Sequence, residues 1–299
     1  MVSLFQSLEA EDLLEEEKPI FDVLKASLHY PSTPNVLAQR LADDIVFFCR
    51  SAREDEDYEA ILTLVWDMAF DMISCIPSDH EWQDVWVNAL EFLRVREDLP
   101  PRDENMPDGV SWHELPLLLR QQRARLDKAC FDDQTKWRNL NSFSARLYAS
   151  GVTETSWYPV VELRGTVEKY ASSASVPEAA LWVATEWVIR CPDRIFRFLQ
   201  QADEPEGEMP ERVWGLGDAW AGKEDVGLLS VERWNLWKKW FSEKKEKLSE
   251  ADSGTVDSAT LGRVSEALEK MCEAEERAKC EPTTDGSKHE VDEQDVPAI

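Results

Sequence analysis

Apolar residues recur every three or four positions along almost the whole of this chain. The clearest example is the stretch "YEAILTLVWDMAFDMISCI", which begins at Tyr58. Its apolar side chains with this spacing are Leu62, Val65, Trp66, Ala69, Met72, Ile73 and Ile76. A period of about 3.6 residues places such side chains on one face of an α-helix, whereas a strand needs strict alternation. No convincing alternation is present, so the sequence predicts an all-α protein.

Capping and breaking signals divide the periodic segments into roughly 10–12 helices. Gly151 suits the C-terminal end of one helix, and Ser230 suits the N-cap of another. We expect Asn35 to cap the third helical segment. Ser111 and Glu114 have capping-box spacing and are expected to open a further helix.

The composition does not change enough along the chain to indicate two domains. We therefore expect a single multi-helix domain over residues 11–280, preceded by a frayed N-terminus over residues 1–10. The tail "EPTTDGSKHEVDEQDVPAI", residues 281–299, is polar and acidic. It carries too few large apolar side chains to build a core, so we expect a disordered acidic tail.

The charge balance restricts the partners. The 299 residues include 60 acidic and 33 basic ones, a formal net charge of −27. Repulsion from phosphate groups makes nucleic acid and anionic membrane surfaces unsuitable partners. The chain shows no signal-peptide pattern and no apolar run long enough to span a bilayer. Several of the six cysteines lie in apolar helical runs, as is typical of reduced thiols in a cytoplasmic protein, with the nucleus as the alternative.

Familiar motifs of catalysis and cofactor binding are missing from the sequence. There is no phosphate-binding glycine loop, no zinc-protease motif and no hydrolase nucleophile motif. The four histidines are scattered, without the spacing that metal ligation on a helix requires. The sequence therefore predicts no catalytic residue, no cofactor and no metal.

Two carboxylate pairs are the candidates for a metal site. Asp43 and Asp44 begin like the aspartate-rich motif of class I terpene synthases, but Phe47 stands where the third acid would hold magnesium. Asp67 and Asp71 share one helix face and could bind a hard cation. The alternative is that these are solvated or first-turn carboxylates. We favour this alternative because no second metal motif follows.

Tryptophan is concentrated between Gly215 and Phe241, which holds four of the thirteen in the chain. Trp234, Trp237 and Phe241 share one face of a predicted helix. Together with Trp220, this stripe is expected to act as an aromatic clamp that fastens the last third of the chain to the core. The alternative is an exposed aromatic cleft that faces a ligand or a partner.

The best candidate for a functional polar cluster is formed by Asn139, Asn141 and Arg146. They lie in "WRNLNSFSARLYASG", a predicted helix with large apolar side chains on both faces. If both faces are buried, the amide and guanidinium groups need partners. In a structural role, these are backbone carbonyls and a carboxylate such as Glu168 or Glu186. In the alternative role, the cluster orients an anionic or carbonyl-bearing ligand.

The tryptophan-rich stretch also resembles the C-terminal signature of a fungal family known only as a domain of unknown function. That signature is Trp, Gly, then Gly-x-Ser-x-x-Arg-Trp and an aromatic-rich end. The matching residues are Trp220, Gly222, Gly227, Ser230, Arg233, Trp234, Trp237 and Phe241. The chain departs from the pattern by an extra residue before Ser230 and by Leu236 where an aromatic is usual. These departures affect the turn rather than the helix.

Three further segments resemble the same family in the same order, so that the resemblance runs from about Tyr58 to Met271. They are "EAILTLVWDMAFDMISCIPSDHEWQDVWVNALEFLR", "VSWHELPLLLRQQRARLD" and "WRNLNSFSARLYASG". The resemblance implies a filamentous-fungal source and a helical fold. It implies no activity, because the family has none assigned. The genes near some members suggest a link to secondary metabolism.

Two hypotheses from different classes follow. The first is a non-catalytic helical binding or scaffold protein with an unknown protein partner, which rests on the missing motifs and the acidity. The second is a helical enzyme or carrier for a small hydrophobic molecule, such as a secondary metabolite, held in an aromatic-lined pocket. An enclosed apolar cavity with convergent polar groups would favour the second, and a solid core with an exposed apolar groove would favour the first.

Overall fold

The computed structural model describes residues 3–11, 13–51, 58–96, 112–153, 157–173, 175–201, 215–217, 220, 226–250 and 258–280. These residues contain twelve α-helices and no strand, which confirms the predicted all-α class. The helices are α1 (Gln6–Ala10), α2 (Glu17–Leu28), α3 (Pro34–Ser51), α4 (Tyr58–Cys75), α5 (Trp82–Arg94), α6 (Leu118–Asp132), α7 (Gln134–Ser150), α8 (Trp157–Leu163), α9 (Glu178–Arg190), α10 (Pro192–Gln201), α11 (Val231–Glu250) and α12 (Ser258–Cys280). A 3₁₀ turn (Trp112–Glu114) precedes α6, and a π-helical turn (Arg164–Glu168) continues α8.

Helix α7 lies at the centre of the fold. It packs against α4, α5 and α6 on one side and against α9 on the other. The helices α2 to α5 pack on one another in the first group, and α9 to α12 form the second. Because α7 joins the two groups, its apolar residues are buried on both faces, as its sequence predicts.

Several predicted helix ends are confirmed. Gly151 has a left-handed φ of 80°, and its N–H bonds to the carbonyls of Leu147 and Tyr148 at the end of α7. The hydroxyl of Ser230 accepts a hydrogen bond from the N–H of Arg233 at 3.2 Å, so it caps α11. Glycine and serine perform the same functions at helix ends generally.

Two predicted helix starts are wrong. Helix α3 begins at Pro34, so Asn35 lies inside its first turn rather than at the cap. Of the predicted capping box, Ser111 lies outside the described residues, and Glu114 closes the 3₁₀ turn. Helix α6 begins only at Leu118, because Leu115 and Leu117 have φ values of 47° and 64° that a right-handed helix cannot contain.

The N-terminus also differs from the expected frayed segment. Gln6–Ala10 are helical, and Phe5 is fully buried. The ring of Phe5 stacks on Trp82 with the centroids 6.0 Å apart and meets Phe21 edge-on at 6.1 Å. The burial of Phe5 and Leu8 and the ion pair between Glu9 and Lys25 at 2.5 Å hold this segment against the core. The predicted disordered tail, residues 281–299, lies outside the described residues.

None of the described helices is both long and apolar enough to cross a lipid bilayer. The cysteines are free thiols, and Cys49 and Cys191 are buried in the core.

Candidate functional site

The aromatic stripe of α11 faces the protein interior. Trp234, Trp237 and Phe241 are fully buried, and Trp220 is 6% exposed. The ring of Trp234 packs on that of Phe196 in α10 with the centroids 5.2 Å apart. The indole N–H of Trp234 also donates to the carboxylate of Glu275 in α12. The stripe therefore lies where an aromatic clamp would hold α11 to its neighbours.

A buried ion pair lies beside this stripe. The side chains of Glu168 and Arg233 are both 0% exposed, and Arg233 Nε donates to Glu168 Oε1 at 2.6 Å. The same carboxylate oxygen accepts the indole N–H of Trp237 at 2.9 Å. The other oxygen, Oε2, accepts the backbone N–H of Gly217 at 2.6 Å. We call these four residues, Glu168, Gly217, Arg233 and Trp237, the Glu168 centre.

Local structure places each group of the Glu168 centre. Glu168 is the last residue of the π-helical turn, and such turns commonly mark special sites in helices. A side chain at Gly217 would put its Cβ 2.6 Å from the Cβ of Glu168, so only glycine permits this close approach. The remaining Arg233 nitrogens donate to the carbonyls of Gly215 and Leu228. Arg233 thus fastens both ends of the segment that precedes α11.

Electrostatics explain why protein groups surround the ion pair of this centre on all sides that carry hydrogen-bonding atoms. Burial lowers the pKa of Arg233 below its ordinary value, while the carboxylate of Glu168 acts in the opposite direction. An unpaired charge in this position would be strongly unfavourable, and the pair is tolerated because hydrogen bonds surround it. The Glu168 centre therefore acts as an internal fastening between the π-helical turn and α11, with its carboxylate already bound by protein donors.

The predicted polar residues of α7 separate into two directions. The Asn139 amide donates to the carbonyl of Ser74 at 2.8 Å, towards the end of α4. Arg146 donates to the carbonyl of Ser78 at 2.8 Å and forms an ion pair with Asp84, towards the turn before α5 and its first residues. Both side chains thus hold the connection between α4 and α5.

Asn141 points the other way, towards α9. Its amide donates to the carbonyl of Trp137 at 3.0 Å, and its oxygen accepts the indole N–H of Trp187 at 2.9 Å. The structure therefore does not gather Asn139, Asn141 and Arg146 around one point where a ligand could meet all three.

The prediction that Glu168 or Glu186 is the carboxylate partner of this cluster is wrong. Arg146 pairs with Asp84, because the helix face that carries it is directed at α5, whereas Glu168 is bound by Arg233. Glu186 accepts the hydroxyl of Ser142 at 2.7 Å and pairs with arginines of α9 and α12, Arg190 at 2.8 Å and Arg263 at 2.6 Å. Burial acts to raise the pKa of Glu186, but the hydrogen bonds from Arg190 and Ser142 outweigh it and the pKa is lowered.

The aspartate pairs are bound by protein groups. Asp43 pairs with Arg96 at 2.5 Å, and Asp44 accepts the hydroxyl of Ser27. Arg125 lies 3.4 Å from Asp67 and 3.1 Å from Asp71. Burial raises the pKa of Asp71 to about 6, although Arg125 opposes this. Within the part of the chain that the structure describes, no group of histidine, cysteine and acidic side chains has the arrangement of a metal site.

Two pockets lined by described residues are small. One lies in the core among α4, α5, α6 and α7, with a volume of about 10 Å³, and is lined by apolar side chains that include Trp66 and Trp86. Another lies between α9 and α12, also about 10 Å³, with Trp182 and Arg263 in its lining. Each volume corresponds to about one water molecule rather than to a metabolite.

Sequence reasoning assigned no role to Arg233 and offered Glu168 only as a partner for the wrong arginine. A signal was nevertheless present. Arg233 precedes Trp237 and Phe241 by four and eight residues, so a charged side chain lies within a stripe of buried rings. A charge in that position must find a buried counter-charge.

A family model described as "Protein of unknown function (DUF3632)" matches residues 66–241, more than half of the chain. The matched range includes α7, the Glu168 centre and the aromatic stripe. No curated protein and no solved structure matches the chain. The predicted membership of a family of unknown function is confirmed, while the fungal source stays a prediction. The chain belongs to the DUF3632 family.

Proposed function

We propose that this protein is a non-catalytic helical binding or scaffold protein. The observation that carries the proposal is the burial of the aromatic stripe. Trp234, Trp237 and Phe241 are the side chains that an aromatic-lined pocket would have exposed, and each is 0% exposed. The nearby polar groups are used within the protein, as at the Glu168 centre. We infer that this helical body acts through a surface that binds a partner.

The partner that suits this chain is a protein rather than a nucleic acid. A net charge of −27 repels phosphate backbones and attracts basic surfaces, which also accelerates association. We propose a cytoplasmic location, with the nucleus as the alternative. If the source is a filamentous fungus, a role beside enzymes of secondary metabolism fits both the family resemblance and a scaffold.

Native mass spectrometry of the protein purified from its host tests this proposal. We expect the chain to carry no small molecule and to appear in a complex with a second protein. That protein is then produced separately and titrated into the purified chain by calorimetry, where saturable binding is expected. Weakening of the complex on raising the salt concentration would agree with an electrostatic contribution to binding.

A stoichiometric small hydrophobic molecule in the native mass spectrum would contradict the scaffold proposal. It would favour the carrier hypothesis.

A further inference from the structure

Helix α3 has two faces of different character. The face that packs into the core carries Leu37, Ala38, Leu41, Ala42, Ile45, Val46 and Cys49. The opposite face is exposed to solvent and carries Val36, Arg40, Asp43 and Phe47. At about 100° per residue, these four exposed side chains fall within about 60° of one another. We call them the α3 stripe.

The two ends of the α3 stripe are apolar. Val36 is 40% exposed and Phe47 is 58% exposed, although both are large apolar side chains. The four residues are spaced by four, three and four positions, which is the spacing of the contact positions in a coiled coil. The stripe is about 17 Å long at the helical rise. Its length and spacing therefore suit contact with a second helix.

The two central residues of the α3 stripe carry opposite charges. The guanidinium carbon of Arg40 lies 4.2 Å from the ring centroid of Tyr30, so an aromatic ring holds this cation at the surface. Asp43 accepts a hydrogen bond from Arg96 through Oδ1 at 2.5 Å, and its side chain is still 55% exposed. Both oxygens of a carboxylate have acceptor sites, so Asp43 can bind a second guanidinium while it keeps the first.

The order of residues in the α3 stripe is complementary to itself. When two copies of α3 run antiparallel and the midpoints of their stripes meet, Val36 of one chain lies opposite Phe47 of the other. Arg40 lies opposite Asp43 in the same way, and a two-fold axis repeats both contacts. In a parallel pair, each Arg40 would face its own copy and each Asp43 likewise, so that like charges would repel. The charge pattern therefore selects an antiparallel second copy of this chain as the partner.

We propose that the protein forms a homodimer through antiparallel contact between two α3 stripes. The inference goes beyond the proposed binding function and does not depend on it. A helix contact about 17 Å long buries on the order of 500 Å² per chain, less than the ~800 Å² of a standard interface. The dimer is therefore weak and dissociates on dilution. It presents two copies of every other surface of the chain, which strengthens attachment to a partner that is itself dimeric or repetitive.

Analytical ultracentrifugation of the full chain tests the proposal. We expect a reversible equilibrium between monomer and dimer, with a dissociation constant between about 1 µM and about 1 mM. The ionic strength is set to about 0.15 M, where a Debye length of about 8 Å limits the repulsion between two chains that each have a net charge of −27. A chain that stays monomeric up to about 1 mM would overturn the proposal.

Charge reversal separates this contact from other modes of association. Arg40→Glu or Asp43→Arg places like charges opposite each other twice across the two-fold axis, and we expect each change to weaken the dimer about tenfold or more. An equimolar mixture of the two variants should dimerise as the parent does, because only the mixed dimer has opposite charges at both contacts. Lys239→Glu is the control, since it changes the net charge as Arg40→Glu does at a side chain of α11 that is 73% exposed. The control should leave association unchanged.

Photo-crosslinking checks the register of the two helices. With p-benzoylphenylalanine in place of Phe47, we expect cross-linked dimers in which the reacted peptide of the second chain contains Val36. Circular dichroism verifies that every variant is folded.

Single variants that dimerise as the parent does, a mixture that does not recover, or cross-links to other helices would overturn the α3 contact. These outcomes differ from failure of the binding function. A stoichiometric metabolite in the native mass spectrum would contradict the scaffold proposal and leave the dimer intact.

Discussion

The polar cluster of α7 and the Glu168 centre both supply partners to buried polar groups, but they do so by different means. In α7, Asn139 and Asn141 are neutral and bind backbone carbonyls, and the one charged residue, Arg146, reaches the surface at Asp84, whose side chain is 62% exposed. In the Glu168 centre both charges are completely removed from solvent. Hydrogen bonds satisfy the groups of the Glu168 centre, whereas in the α7 cluster Arg146 Nε is buried without a partner among the described residues and the pair with Asp84 reaches solvent.

This difference predicts unequal tolerance to substitution. A buried neutral amide without its partner lowers the free energy of unfolding by about 1–3 kcal/mol, whereas a buried charge without its partner lowers it by more. The two regions also hold different parts of the fold. The α7 cluster joins α4, α5 and α9, while the Glu168 centre attaches the segment before α11 to the π-helical turn.

The largest effect is expected for Arg233→Met. This change leaves the carboxylate of Glu168 buried without its guanidinium, which usually lowers the free energy of unfolding by about 3–5 kcal/mol. Urea denaturation followed by circular dichroism measures the loss. The double variant Glu168→Leu with Arg233→Met should be more stable than the sum of the single effects predicts, because no charge is stranded. Simple additivity would show that the two side chains do not act as a pair.

A smaller loss is expected for Arg146→Leu. It removes the hydrogen bond to the carbonyl of Ser78, and bonds from charged donors contribute about 1.5–3 kcal/mol. Asp84→Asn is the control, with an effect below about 1 kcal/mol because that ion pair is exposed. Thermal unfolding measures both variants. If Arg146→Leu leaves stability unchanged but abolishes binding of the co-purified protein, Arg146 belongs to a binding site instead.

Gly217→Ala tests the close approach at the Glu168 centre. The added Cβ would meet that of Glu168 at 2.6 Å, and such overpacking usually lowers stability by about 1–3 kcal/mol. Gly262→Ala in α12 is the matched control, because its added Cβ meets nothing within 4 Å. The control should stabilise the protein by about 0.4–1 kcal/mol through lower entropy of the unfolded chain. Equal melting temperatures for the two variants would contradict this account.

The smallest effect concerns Glu162, a carboxyl group in α8. Burial, together with the negative charge of the nearby Asp127, raises the pKa of Glu162 to about 7. The folded protein then holds a proton that the unfolded chain releases near its ordinary value of 4.5, so stability falls as the pH rises from about 4.5 to about 7.

Glu162→Gln should remove this part of the pH dependence and make the protein more stable than the parent above pH 7, because a buried negative charge is then absent. At about pH 4.5 the variant and the parent should unfold at the same denaturant concentration. A gain that is equal at both pH values would exclude titration of Glu162 as its cause.

Much of the fold could be predicted from local sequence. The periodicity of α4 and the caps at Gly151 and Ser230 depend on residues within a few positions of one another. The errors fall where distant residues decide. Phe5 orders the N-terminus by packing on Trp82, and the positive φ values of Leu115 and Leu117 are held in a turn whose Pro116 carbonyl accepts the indole N–H of Trp66 at 2.8 Å.

The candidate site follows the same division. The sequence by itself determined that the chain is helical, that α7 is buried on both faces and that its amides need partners, because these follow from spacing and from the cost of burying polar groups. Only the tertiary structure decided which partners they find. Asp84 lies 62 residues from Arg146, and Glu168 lies 65 residues from Arg233. Such pairs form through the packing of helices, since periodicity specifies which face of a helix is buried but not the helix against which it is buried.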